Sequence, residues 1–389
     1  MNPEAFSAPE AGRVVRSPRG YFAFVPAPLP PEIRYDDELV VALSRADSSL
    51  SELSGLGRLL PNPHLLIAPY VRKEAVLSSK IEGTTTDLSE LLQDEAGAEL
   101  PERDPDDVRE VRNYVRALEY GVKCLDKLPL SLRLVRELHE RLMRGVRGDR
   151  ATPGEFRRSQ NWIGAHGSTP DTASYVPPPV EELQACLDAW EKFLHERGRI
   201  PDLVQCALMH EQFEAIHPFL DGNGRVGRLL ITLFLIERDR LSQPLLYLSA
   251  YIERNRNEYY RLLQGVRTRG DWRSWILYFL RGVAEISNEA VERASRLMNL
   301  REKLRSKVSG KRNAVRLLEK LFENPYVTVA GAAKLLGVTN PTARQAVKQL
   351  QTAGVLSETT GREWGRLYLA RPILKILEMD ETNGPTAGC

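Results

Sequence analysis

Two apolar helical runs flank the tetrapeptide Asp221-Gly222-Asn223-Gly224, so the chain must turn sharply there between two buried helices. Leu203, Ala207, Leu208 and Phe213 recur at helical spacing before it, and Val226, Leu229, Leu230, Leu233 and Phe234 after it. Glycine reaches positive φ at no steric cost, so successive backbone N–H groups can converge on one anion. The first turn of the following helix aims its unpaired N–H groups and its dipole at the same point. Arg225 and Arg228 lie one turn apart there, and guanidinium groups chelate phosphate oxygens. Asp221 is the hard oxygen ligand that Mg²⁺ takes when it also bridges substrate phosphates. His217, closing the preceding helix, is the side chain suited to accept a proton near neutral pH. Phe219 and Leu220 are expected to anchor the loop by apolar burial.

Gly222, Gly224 and Gly227 also spell GxGxxG, but that dinucleotide fingerprint must follow a β-strand, and here an apolar helix precedes it. No GxxxxGK[ST] occurs, which excludes a P-loop enzyme. A glycine-rich connector with a histidine cap accounts for any two of these residues. It does not account for a base, a carboxylate, a nest and two arginines within twelve positions.

Around this site the pattern is mostly helical. Apolar periodicity predicts helices over 36–60, 67–82, 87–93, 105–125, from Pro129 onward, 180–197, 202–216, 225–239, 254–267 and 272–307. Residues 1–35, with Pro26, Pro28, Pro30 and Pro31, read as an extended surface arm. Glu99, Pro101, Asp104 and Pro105 mark a loop, and residues 154–179 break the helical pattern with two short β-like pieces, predicting a hairpin. Four scattered cysteines, Cys124, Cys186, Cys206 and Cys389, show no CxxC pairing, which excludes a tetrahedral zinc site and suits a reducing, cytoplasmic setting. No apolar run approaches the ~18 residues that cross a bilayer, so no membrane partner is expected.

The run from His217 to Arg228 resembles the Fic (Fido) family signature HxFx[D/E]GNGRxxR at every fixed position. The resemblance implies a Fic-type helical bundle with a β-hairpin flap and an AMP-transferring enzyme. ATP is then the substrate, Mg²⁺ the metal, and the acceptor a Ser, Thr or Tyr hydroxyl of a protein, the chain itself included. It implies that His217 deprotonates the acceptor and Asp221 holds Mg²⁺. It also implies that Gly222, Asn223, Gly224 and Arg225, with Val226 and Gly227 beside them, bind phosphates, and that Arg228 meets the γ-phosphate. Ser78-Ser79-Lys80-Ile81-Glu82-Gly83 resembles the family's inhibitory motif [S/T]xxxE[G/N], in which Glu82 pairs with Arg228 at the γ-phosphate site and Ser78 steadies the helix. Without the resemblance, these six residues read as a surface helix end closed by Gly83.

Residues 154–164 and 175–178 are similar to the family's target-docking flap, with Ile163, Gly164, Tyr175 and Val176 placed along the target; an ordinary surface hairpin is the alternative. Ser249, Tyr251, Asn255, Arg256, Tyr259 and Tyr260 resemble the adenine and ribose segment, and Tyr260 is the expected nucleotide contact, or else a core aromatic. His210 reads as a packed helix histidine. Related folds transfer phosphate, UMP or phosphocholine, or remove AMP, and a nucleotide-sensing transcriptional regulator is the non-enzyme alternative.

Charge sets the last segment apart. Residues 301–389 carry fifteen Lys/Arg against eight Asp/Glu, a surplus of +7 in a chain whose net charge is +2. The order there is helix, glycine turn, capped helix, then a basic-tipped hairpin, which is a winged helix-turn-helix pattern. Thr342, Arg344, Gln345 and Lys348 would face a DNA groove and Arg362 the wing. Protein contact, including a homodimer, suits the pattern equally. The expected division is 1–128, an amino-terminal region with the inhibitory helix; 129–300, the catalytic core; and 301–389, the winged module. The whole is mainly α.

Overall fold

The continuous apolar run Phe22-Ala23-Phe24-Val25 makes a strand of the proline-rich start of the chain, which folds as a β-hairpin. In the computed structural model β1 (Gly12–Arg16) pairs antiparallel with β2 (Phe22–Pro26). This corrects the expected surface arm: Ala23, Phe24 and Val25 are buried, and the Phe24 amide donates to the Val176 carbonyl at 2.9 Å. The structure describes residues 1–59, 64–98, 104–146, 152–362 and 364–379, so Leu60, Glu99, Pro101 and Cys389 lie outside the described residues.

Helices α1 (Asp37–Leu59) and α2 (His64–Ile81) come next, then α3 (Leu88–Glu95), opened by a reciprocal Asp87–Glu90 capping box. α4 (Pro105–Leu125) starts where the Asp104 carboxylate accepts the Asp106 amide, with Pro105 where no N–H is needed. α5 (Leu132–Leu142) is capped by Ser131, and α6 (Val180–Leu194) follows the non-helical segment. α7 (Asp202–Ile216) and α8 (Asn223–Glu237) form the central hairpin. Every residue of α7 from Leu203 to Ile216 is buried, and such a helix belongs in the interior. α2, α4, α5, α6 and α11 (Trp272–Lys307) pack around the pair.

The helix expected over 254–267 is α10 (Arg256–Arg269), and a short helix that the sequence reading did not include, α9 (Ser249–Arg254), precedes it. They part at Asn255, whose amide nitrogen donates to the Tyr251 carbonyl at 3.0 Å and competes with the helical ladder. The hairpin expected over 154–179 is reduced to one antiparallel bridge, Ile163 to Tyr175. Pro177, Pro178 and Pro179 have no N–H with which to extend it.

The carboxy-terminal part contains α12 (Arg312–Leu321), β3 (Tyr326–Thr328), α13 (Val329–Leu336), α14 (Asn340–Thr352), β4 (Ser357–Glu358), β5 (Leu367–Leu369) and α15 (Arg371–Glu378). Its sheet has the order β3-β5-β4, antiparallel throughout. Strand β3 and helix α15 are additions to the sequence reading. The division at 300/301 falls inside α11, and one apolar core runs from the bundle into this part. Tyr326 and Ser89 share a hydroxyl hydrogen bond of 2.6 Å, and the Asn324 amide donates to the Leu92 carbonyl at 2.8 Å, joining β3 to α3. No helix of the described residues is long and apolar enough to cross a membrane.

Phe24 packs its ring 5.3 Å from Phe6 and 6.1 Å from Tyr175 and is 2% exposed. Phe24→Ala is expected to cost ~3 kcal/mol in urea unfolding. A loss below ~1 kcal/mol would mean the hairpin merely rests on the bundle.

Candidate active site

The polar groups around the α7–α8 turn are held before any ligand arrives. His217 closes α7 in the left-handed conformation, φ 49° and ψ 60°. Its Nδ1 lies 3.3 Å from the Glu214 carbonyl, a contact that assigns the ring proton to Nδ1 and leaves the Nε2 lone pair free. Burial lowers its pKa to about 4, with the charges of Arg267 and Arg157 adding to the effect. A neutral imidazole with a free lone pair is a competent proton acceptor at neutral pH.

Phe219 anchors the loop as expected, fully buried and stacked on His139 at 3.7 Å. Leu220 does not: it is exposed, a correction to the expected pair. Asn223 accepts the Phe219 amide and donates to the Phe219 carbonyl, both at 2.8 Å, so its side chain ties the loop rather than facing an anion. Asp221 takes the Gly222 amide at 2.6 Å, and its side chain is half exposed at the mouth. Gly222 has φ 77°, and a Cβ there would press on the Met143 sulfur at 2.8 Å. Val226 is core, and Gly227 serves helix packing, since a Cβ would lie 2.5 Å from Glu214 Oε1.

The two arginines part company. Arg225 is buried and donates to Glu110 on α4 at 2.8 Å, so its charge is met inside the bundle. Arg228, 2% exposed, donates through Nε to Ser78 Oγ at 2.9 Å, and through Nη2 to the Ser78 carbonyl at 2.9 Å and Glu82 Oε1 at 2.6 Å. Burial alone would raise the Glu82 carboxyl, but Arg228 outweighs it by charge and hydrogen bond, and the net shift is downward. Glu82 presses over the nest: a Cβ on Gly224 would lie 2.2 Å from Glu82 Oε1. Gly83, at φ 103°, provides the positive-φ turn that ends α2 beside it.

Several expected positions are placed differently. Tyr175 and Val176 are buried; the Tyr175 hydroxyl donates to the Ala215 carbonyl at 2.7 Å, and Ile163 takes both of its backbone groups. Tyr175 holds the flap against α7 and Val176 ties it to β2, leaving Ile163 and Gly164 nearer the surface. Ser249 is fully buried and bonded to Glu74, which removes it from an adenine pocket. Tyr260 is exposed, in the field of Glu82 and Arg228, and His210 is packed between the Gly227 carbonyl and the Tyr259 hydroxyl. On α14, Arg344, Gln345 and Lys348 are exposed and Thr342 is partly so; Arg362 is exposed on the β4–β5 turn.

Sequence reasoning passed over four residues. His139 is fully buried; its Nδ1 accepts the Gly154 amide at 2.9 Å, so Nε2 carries the proton and donates to the Asp221 carbonyl at 3.0 Å. Its one signal was a histidine on the apolar face of α5. Glu110 neutralises Arg225, and Glu74 takes the Tyr114 and Ser249 hydroxyls at 3.0 and 2.5 Å, pinning α2. Burial raises the Glu74 pKa to about 7. Glu214, buried beneath Arg228, is likewise raised to about 7 by burial.

Among the described residues no three His, Cys, Asp or Glu side chains gather as a resident metal site. Asp221 therefore offers one carboxylate, which fits an ion whose remaining ligands come with a polyphosphate.

The chain matches the Fic/DOC family N-terminal model over residues 40–123 and the Fic/DOC family model over residues 129–235. It is 28% identical over 190 residues to the protein adenylyltransferase Fic of Drosophila yakuba, covering 48% of this chain and 34% of that one. The protein of the same name from Drosophila grimshawi is 29% identical over 190 residues, covering 48% and 35%. The matched part is thus about a third of these curated relatives. A Fic family protein from Desulfovibrio desulfuricans has the same fold, with a TM-score of 0.58 at 20% identity over 88% of this chain and 98% of that one. Fic-1 from C. elegans gives 0.50 at 22% identity over 67% and 73%.

Because the folded-state pKa of His217 lies below its ordinary 6.5, the unfolded chain binds the extra proton between pH 6.5 and about 4. This histidine therefore lowers stability progressively as pH falls through that window and has no such effect above it. Imidazole NMR of the ligand-free protein is expected to show His217 neutral through pH 6.5, with a midpoint near 4. A midpoint at 6.5 would contradict its burial against Arg267 and Arg157.

Proposed function

The chain belongs to the Fic/DOC family, and on that footing we propose that it transfers AMP from Mg-ATP to a Ser, Thr or Tyr hydroxyl of a protein, with Glu82 restraining the reaction. The observation that carries the reading is Arg228. It stands in the second turn of α8, beside an anion nest and a neutral base, and its guanidinium is already engaged by Ser78 and Glu82.

In this reading the site's groups divide the transfer between them. His217 Nε2 takes the proton of the acceptor hydroxyl as its oxygen attacks the α-phosphorus. The bond from that phosphorus to the β-bridging oxygen breaks, and pyrophosphate leaves. Backbone N–H groups at the start of α8 face the developing charge, and phosphoryl-type transfer needs mainly such positioning and neutralisation. Asp221 would hold Mg²⁺, which supplies charge neutralisation to the phosphates when bound. While Glu82 occupies Arg228, the γ-phosphate lacks its cation and ATP cannot settle with its α-phosphorus in line. Tyr260, exposed at the same cleft, is the aromatic we assign to the nucleotide.

We read the carboxy-terminal part as a winged helix-turn-helix module. The exposed Arg344, Gln345 and Lys348 of α14, with Arg362 on the β4–β5 turn, suit a polyanionic duplex. A mobility shift with duplex DNA that weakens as salt rises is the expected outcome; no shift at low salt assigns the module to protein contact.

Incubation with α-³²P-ATP and γ-³²P-ATP tests the transfer. Glu82→Gly is expected to take label from the α position only, at least about tenfold above wild type, and His217→Ala to take none. Label from the γ position would overturn AMP transfer. Equal labelling of wild type and Glu82→Gly would overturn the restraint, and no labelling of any form would favour a nucleotide sensor.

A further inference from the structure

We propose that Arg157 and Asn161 are positioning residues for this reaction: they grip the carbonyl of His217 itself and thereby aim its imidazole. The inference rests on His217 being the base. It departs from the docking role that the resemblance implies for their segment.

A helix that ends in the left-handed conformation normally does so on glycine, or sometimes asparagine, because a Cβ is disfavoured there. His217 adopts that conformation with a full side chain, at φ 49°. Something must hold it, and the hydrogen bonds show what does. Its carbonyl accepts from Arg157 Nε at 3.0 Å and from Asn161 Nδ2 at 3.2 Å. The Arg157 fork also reaches the Pro178 carbonyl at 2.6 Å and the Ile216 carbonyl at 3.5 Å, while its backbone N–H donates to the Pro218 carbonyl at 2.9 Å. Asn161 Nδ2 continues to the Phe219 carbonyl at 2.8 Å. Because both neighbours of that amide nitrogen are carbonyls, the amide can face them in only one way.

The two side chains therefore hold the carbonyls of Ile216, His217 and Phe219, and the Arg157 backbone N–H holds that of Pro218 between them. A helix end leaves its last carbonyls without partners, and here this one segment supplies them, with the Tyr175 hydroxyl taking Ala215. Arg157 is 2% exposed, and among the described residues it makes no ion pair with a carboxylate and its Nη1 has no partner. Burying a guanidinium against carbonyls alone is costly, and lysine could not span them from one planar fork. Such a cost, set against a strained backbone at the base, is the kind kept where geometry serves chemistry. The charge matters as well. His217 faces Arg157 from this segment, Arg267 from α10 and Glu82 from the end of α2; burial keeps its ring neutral, and the two arginines add to that effect against Glu82.

The test compares Arg157→Lys, Arg157→Met and Asn161→Ala, each in the full-length Glu82→Gly protein. Turnover, the KM for ATP, ATP binding by calorimetry and His217 imidazole NMR are read together. Arg157→Lys and Asn161→Ala are expected to lose ~100-fold in kcat, as an ångström-scale misplacement of a catalytic group does. ATP binding and the KM for ATP should stay within about threefold. Arg157→Met should raise the His217 midpoint, and Arg157→Lys should leave it in place. Unchanged kcat in Asn161→Ala and Arg157→Lys overturns the proposal, and so does a loss of ATP binding that matches the loss of kcat. Should the arginine variants not fold, Asn161→Ala decides alone, because it leaves every Arg157 bond in place. If the Glu82→Gly parent itself transfers no AMP, the proposed function fails. The His217 spectrum then decides this inference, and an imidazole unmoved in both Asn161→Ala and Arg157→Met overturns it.

Discussion

A guanidinium buried at the foot of an anion site must be neutralised whether or not the anion is present, and the organisation around Arg228 follows from that need. Leaving such a charge unpaired costs several kcal/mol. Glu82 and the Ser78 oxygens meet that charge, in the place that the proposed function gives to a phosphate. One arginine cannot serve both partners at full strength, so the restraint we propose arises from charge balance without a moving lid. Arg225 shows the contrasting arrangement. Its carboxylate, Glu110, sits inside the bundle and does not compete at the mouth.

For Glu82 to compete, the end of α2 must be held. Glu74 ties that helix to α4 through Tyr114 and to α9 through Ser249. Beyond Gly83, α3 is joined to the carboxy-terminal part through Ser89–Tyr326 and Leu92–Asn324. Arg293 of α11 holds the end of α15 through the Ile376 and Met379 carbonyls and donates to the Tyr247 hydroxyl. Tyr247 in turn packs 5.3 Å from Tyr70 on α2. The helix that carries Glu82 is therefore braced on two sides, and His217 on the other wall of the cleft is braced by the flap segment, itself bonded to the amino-terminal hairpin.

Much of this was legible in the sequence where one side chain or one period decides the outcome. The limits of α4, α7 and α11 follow from Pro105, from the apolar period and from the Asp271 cap, and they fall as expected. The run from His217 to Arg228 carries its chemistry in adjacent residues. What stayed hidden depends on partners distant in the chain. Glu110 reads as one more charge on an amphipathic helix until α8 brings Arg225 to it. Tyr175 reads as a flap aromatic until α7 offers it a carbonyl. Prolines masked the short apolar strand at residues 22–25, and Asn223, read as part of a nest, spends its amide on the loop.

The contest for Arg228 can be measured apart from any chemistry by titrating ATP and ADP, each with Mg²⁺, into wild type and Glu82→Gly in a calorimeter. If Arg228 is shared between Glu82 and the γ-phosphate, the substitution tightens ATP binding by at least about tenfold and leaves ADP binding nearly unchanged. An equal gain for both nucleotides, or a gain for neither, would contradict the account.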